Sequence, residues 1–174
     1  IDNYYQIKNI IYFYKNLLTF WHNTVILKLF QGEKGRNDLR ITHEADYAIR
    51  VTYCLALAGE KQCAKDISEV TGVTLRFALK ILRKLTQSGI TKSYKGVAGG
   101  YELNHSPSEI SLGAIIECID GPIAINHCLA NEFQCTHMGT QKECDFHRVF
   151  SEINRSLRDQ LCSITMDRFL PPQK

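Results

Sequence analysis

The sequence predicts a mainly α-helical fold with a small β wing: a winged helix-turn-helix domain followed by a long C-terminal dimerisation helix. Three stretches carry that prediction. Residues 63–89 split into two helical patterns about Thr71-Gly72-Val73. Residues 90–104 alternate in a period of two on either side of a glycine-rich turn, and residues 146–164 hold one apolar stripe. Two short helices joined by a turn containing Gly make a helix-turn-helix, and a hairpin directly after it makes a wing.

Taken in order, "THEADYAIRVTYCLALAG" (42–59) places apolar residues at 45, 48, 49, 51, 55 and 57 and closes on Gly59, a first helix with a C-cap. The next pattern turns Ala64, Ile67 and Val70 inward. A third helix, opened by Thr74 as N-cap, buries Ala78, Ile81, Leu82 and Leu85 at i, i+3, i+4, i+7 and stops at Gly89. In the hairpin, Ile90, Lys92 and Tyr94 alternate with polar neighbours. Gly96 to Gly100 turn the chain, and Tyr101 and Leu103 resume the alternation. "SLGAIIECIDG" (111–121) reads as a short helix between Ser111 and Gly121. Phe146, Val149, Phe150, Ile153, Leu157, Leu161 and Ile164 form the final stripe, which ends before the prolines at 171 and 172.

The chain of 174 residues has room for one core with extensions. The expected organisation is an extension over 1–38, a winged helix-turn-helix domain over 39–105, a connecting helix within 106–127, a cysteine loop over 128–147 and a dimerisation helix over 145–170. A net charge of +3 is modest, but it is unevenly spread: residues 39–105 hold ten Lys/Arg against six Asp/Glu, and residues 106–174 hold six against nine. A basic middle suits a polyanion, and the acidic remainder suits something else. Seven cysteines, with neither a secretory signal nor the spacing of a small stapled domain, point to a reducing cytoplasm.

Residues 1–38 differ in composition. Ile, Asn, Tyr, Lys, Leu and Phe make up 25 of the 38, and Lys15, Asn16, His22, Asn23 and Lys28 interrupt the apolar run, which argues against a membrane span. An added helix or an amphipathic arm fits this stretch. So does translated AT-rich upstream sequence, in which case the native protein begins at Leu39.

From Thr74 to Lys95 there are six basic residues and no acidic one. Arg76, Lys80, Arg83 and Gln87 fall at i, i+4, i+7, i+11 and share the helix face opposite the core stripe. That face suits phosphates and base edges in a major groove. Lys84 adds charge to the same helix, and Lys95 sits at the wing tip, placed for a backbone or minor-groove contact. A solvated surface helix is the plain alternative; the flanking turn and hairpin weigh against it.

Cys128, Cys135, Cys144 and His147 are spaced C-x6-C-x8-C-x2-H. Paired C-x2-C elements of a zinc knuckle are absent, yet tetrahedral Cys3His zinc is permitted, and three thiolates also suit an iron-sulfur cluster or a thiol switch. The spacing does not choose among them. Cys54, Cys118 and Cys162 lie within helical patterns and are expected to be small buried hydrophobes, and His127 and His137 to be loop residues.

"LRITHEADYAIRV", "VTLRFALKILRKLTQSGI" and "SYKGVAGGYEL" resemble the Rrf-two (IscR/NsrR) family of bacterial winged helix-turn-helix regulators, from about Leu39 to Phe169. Lys95 stands where the family commonly has Arg, which keeps the charge and loses the planar fork. The resemblance implies a cluster held by Cys128, Cys135 and Cys144. It also implies a fourth ligand, either His147 for a [2Fe-2S] centre, the favoured reading, or an acid at the position of Asp46 from a partner subunit for a [4Fe-4S] centre. The expected protein is thus a homodimeric DNA-binding regulator, a repressor acting on a palindromic site, governed by iron, redox state or nitric oxide. A winged-helix regulator using zinc or thiol chemistry is the alternative. No Gly-rich cofactor loop or Ser/His/Asp arrangement suggests an enzyme.

Overall fold

The computed structural model describes residues 41–96, 99–129 and 144–172. The expected extension over 1–38, together with Cys135 and His137, lies outside the described residues. The elements run α1 (His43–Ala58), α2 (Ala64–Thr71), α3 (Leu75–Gln87), β1 (Thr91–Tyr94), β2 (Gly100–Leu103), α4 (Leu112–Asp120) and α5 (Asp145–Ser163), with short 3-10 turns at Pro107–Glu109, His127–Leu129 and Met166–Phe169.

Local chemistry sets each boundary. Thr42 caps α1 by accepting from the Ala45 amide, and Gly59 closes it at φ 63°. Cys63 caps α2, its sulfur accepting from the Asp66 amide at 3.4 Å, and Gly72 ends that helix at φ 70°. Both glycines adopt the left-handed conformation that costs other residues most. Ser68 Oγ then donates to Val73 O at 2.7 Å and fixes the turn into α3. Thr74 is the N-cap residue of α3, as expected, though its side chain makes no cap bond.

The core gathers Ala45, Ala48, Val51 and Leu55 of α1 with Ile67 of α2, Ile81, Leu82 and Leu85 of α3, and Ile110, Ile115 and Met166. All four residues of the expected α3 stripe are fully buried. Burying the larger three, Ile81, Leu82 and Leu85, contributes about 2 kcal/mol each before entropy is counted.

In the hairpin β1 and β2 pair antiparallel, with Thr91 opposite Leu103, Lys92 opposite Glu102, Ser93 opposite Tyr101 and Tyr94 opposite Gly100. The alternation is shifted from the expected one. Ile90 precedes the strand, and Thr91 is the buried strand residue, its hydroxyl 3.0 Å from that of Thr86. A threonine can occupy this inward position because α3 supplies a hydroxyl to satisfy it. Lys92 and Tyr94 face outward and converge on Glu102, at 2.9 and 2.7 Å. Gln62 bonds to Tyr101 from outside the sheet through both backbone groups, at 2.8 and 2.9 Å. A Cβ at residue 100 would stand 2.6 Å from the Gln62 oxygen, so only glycine fits.

Helix α5 stops at Ser163, short of the expected 170. Ile164 turns extended, and Thr165 bridges to Ser111: Leu112 N donates to Ile164 O and Met166 N to Ile110 O, both at 2.9 Å. These bonds draw Met166 into the core, where it is 1% exposed.

Of the helical cysteines one meets the expectation of burial and two depart from it. Cys54 is buried, and burial, with nearby Asp66 adding to it, pushes its thiol up to about 11. Cys118 is only partly buried, its sulfur 3.1 Å from Ser88 Oγ. Cys162 is exposed, because α5 buries no residue fully against this chain. Its sulfur nonetheless rests on Gly113, where a Cβ would come within 2.5 Å. Among the described residues no helix is long and apolar enough to cross a membrane.

Candidate nucleic-acid interface and metal-ligand residues

Helix α3 has an inner face, an outer face and two margins between them. The inner face is the buried stripe. The outer face exposes Arg76, Lys80, Arg83 and Gln87, the residues expected to share it. Along one margin lie Lys80 and Lys84, and both are engaged: Lys80 Nζ donates to Glu44 Oε2 at 2.8 Å, and Lys84 Nζ stands 2.7 Å from Glu44 Oε1 and 3.3 Å from Ile119 O. The Glu44 side chain is 18% exposed. The hydrogen bonds from Lys80 and then Lys84 hold its carboxyl below the ordinary 4.5, against the smaller opposing effect of burial. Lys84 thus ties α3 to α1 and α4. Along the opposite margin lie Leu75 and Leu79, 43% and 42% exposed.

Phe77 meets Tyr47 of α1 edge to face at 5.6 Å, and Lys80 lies 5.4 Å above the Phe77 ring. In the wing, Lys95 is exposed beside Gly96 at φ 97°. A Cβ at residue 99 would stand 2.5 Å from the Tyr94 oxygen, so the tight turn itself requires that glycine.

Two of the expected ligand residues stand at the start of α5. Cys144 is its N-cap residue and His147 lies in its first turn. Cys128 sits in the 3-10 turn His127–Leu129, which packs against the same helix. Asn154 of α5 fastens the segment before that turn: its Nδ2 donates to Ile123 O at 2.9 Å, and its Oδ1 accepts from Ile125 N at 3.1 Å. His147 Nδ1 is buried without a hydrogen-bond partner among the described residues. A ring nitrogen so placed costs free energy unless another group meets it. A metal ion would meet it, so this one nitrogen suits a metal ligand. Cys128, Cys144 and His147 are all described and do not come together as a metal-holding group among the described residues; Cys135 lies outside them. Asp46, the other candidate fourth ligand, is paired with Arg50 of its own helix at 2.8 Å.

Four contributing residues were not foreseen. Glu44 reaches α3 across 36 residues of chain and carries no local signal. Asn154 looks like any polar residue in a helix. Leu75 and Leu79 were visible, as leucines at i and i+4 off the core stripe.

A family model described as Rrf2, iron-dependent transcriptional regulator, matches residues 41–172. A helix-turn-helix-type transcriptional regulator of Mycobacterium tuberculosis is 35% identical over 88 residues, which are 49% of this chain and 55% of that protein; the match spans about half of the relative's length. The regulator IscR of Pectobacterium carotovorum is 27% identical over 76% of this chain and 79% of its own. Among solved structures, CymR of B. subtilis, the global cysteine regulator, superposes with a TM-score of 0.59 at 21% identity, covering 75% of this chain and 95% of its own. IscR of T. potens follows with 0.56 at 22% identity over 76% and 87%. At these identities the two structures establish the shared winged-helix fold.

Proposed function

The chain belongs to the Rrf2 family of transcriptional regulators, and from that premise we propose that it is a homodimeric repressor that grips a palindromic DNA site and whose grip is set by an iron-sulfur cluster. The observation that carries the DNA half is the outer face of α3, where Arg76, Arg83 and Gln87 stand exposed on a helix without a single acidic residue. Held in a major groove, such a face reaches phosphates and base edges, with Lys95 of the wing meeting the backbone beside it. Phe146, Val149 and Ile153 of α5 are 78%, 47% and 50% exposed. An apolar stripe of that size matches a second copy of itself, and a twofold pair would offer two α3 helices to successive turns of the duplex.

Cys128, Cys135, Cys144 and His147 would hold the cluster, with His147 preferred to Asp46 because one of its ring nitrogens is withdrawn from solvent and has no partner among the described residues, whereas Asp46 is paired with Arg50. Bound there, the cluster would supply a centre responsive to iron, oxygen or nitric oxide. The protein's contribution is positional. Asn154 keeps the Cys128 turn on α5, and the Arg158–Glu117 pair, at 2.7 Å, keeps α5 on α4. A change at the ligand turn therefore acts on the helix that sets the spacing between the two winged domains.

Anaerobic purification with iron and acid-labile sulfide analysis, followed by DNA titration at fixed salt with and without the cluster, tests both halves. Iron with matching sulfide and a cluster-dependent affinity support the reading. Colourless, iron-free protein that still binds a specific duplex leaves the winged-helix regulator working through zinc or thiols.

A further inference from the structure

We propose that Leu75 and Leu79 form an apolar margin on α3 that reads the 5-methyl groups of thymine, making thymines at fixed positions part of the preferred DNA site. The proposal rests on the reading that α3 enters the major groove. A single exposed leucine is ordinary on a protein surface. Here two of them, 43% and 42% exposed, stand one turn apart on a helix whose other large aliphatic residues, Ile81, Leu82 and Leu85, are fully buried. Both fall in the first two turns of α3, the end from which a helix-turn-helix contacts base edges.

Their neighbours name the occupant. Arg76 adjoins Leu75, and Arg83 lies one turn beyond Leu79; both are exposed, and α3 carries no carboxylate. A protein partner would have to bring its own acids to this surface, whereas duplex DNA presents phosphates on either side of the groove. Within that groove the thymine methyl is the apolar feature on offer. Leucines four residues apart are separated by about 6 Å along the helix axis, and stacked bases by about 3.4 Å, so the pair spans bases within two steps of each other. The opposite margin of α3 has no such freedom, because Glu44 holds Lys80 and Lys84.

The test uses the full chain and duplexes selected from a random pool at fixed salt. Each thymine of the selected site is then replaced singly by uracil, which removes the methyl and nothing else. The expected result is that uracil at one or two positions per half-site weakens binding about fourfold each, the effect of losing one buried methyl. Leu79→Ala should bind the unmodified site about fourfold less tightly, ignore uracil at the matching position and keep the melting temperature of the parent. Specific binding that tolerates uracil everywhere, or a selected site without fixed thymines, overturns the leucine reading and leaves the DNA-binding function standing. Failure to bind any duplex overturns both. Loss of self-association in Leu79→Ala assigns this margin to a second copy of the chain and also overturns the proposal.

Discussion

Helices α3 and α5 are both amphipathic, yet they are held by different forces. Helix α3 seats Ala78, Ile81, Leu82 and Leu85 in the core with no exposure at all, and its polar face is left to meet something outside. Helix α5 buries no residue fully. It is fastened by polar contacts, Asn154 to Ile123 and Ile125, Arg158 to Glu117, and by the backbone bridge at Thr165, while Phe146, Val149 and Ile153 of its apolar stripe stay exposed. The first helix is finished within the chain and is available for recognition. The second leaves Phe146, Val149 and Ile153 exposed, and under the proposed function a second copy would cover them.

The sharpest way to break this contrast is Leu82→Ala. It should cost about 2–5 kcal/mol, seen in denaturant melts at every protein concentration, because the cavity lies within one chain. Ile153→Ala should instead weaken self-association roughly tenfold or more by sedimentation, with little change in the melt of dissociated protein. Equal effects of protein concentration on both variants would erase the distinction. Asn154→Ala removes two hydrogen bonds and should loosen the Cys128 turn by about 1–3 kcal/mol, read as faster hydrogen exchange at the Ile125 and Leu129 amides with α3 unchanged.

Acid should act next. Glu44, Glu102, Glu109 and Glu117 are held below 4.5 by hydrogen bonds, chiefly from Lys80, Tyr94, Ser106 and Arg158 respectively. Their folded-state values lie under the unfolded one, so their contribution is complete above pH 4.5 and is lost as the pH falls through the depressed values. Melts across that window should decline, and Glu117→Gln should flatten part of the decline. The smallest expected effect is that of Glu44→Gln. Freeing Lys80 and Lys84 for phosphates should steepen the salt dependence of DNA binding by up to about 1.8 in the log-log slope, about 0.9 for each new contact.

Much of α3 was legible in the sequence because its burial follows a local period, and because Gly72 and Gly89 bracket it. Three cysteines and a histidine in one stretch marked a candidate ligand turn, of which Cys135 lies outside the described residues. What escaped reading is whatever depends on elements distant in the chain. The inward Thr91 needed the hydroxyl of Thr86, and the exposure of Cys162 followed from the incompleteness of α5. The early end of α5 came from a bridge to Ser111, more than fifty residues earlier in the chain. Period and propensity describe what a segment prefers, and each of these outcomes was decided by its neighbour.

The bridge at Thr165 also bears on how the molecule is made. Met166 shares one core with Ala45 and Val51, and every element of the reading head is synthesised between them. A growing chain must hold α1 to α4 with that last wall missing until Met166 has cleared the ribosome. Under the proposed function, the surface that would grip a duplex and the helix that would pair the subunits become complete only once this last wall is in place.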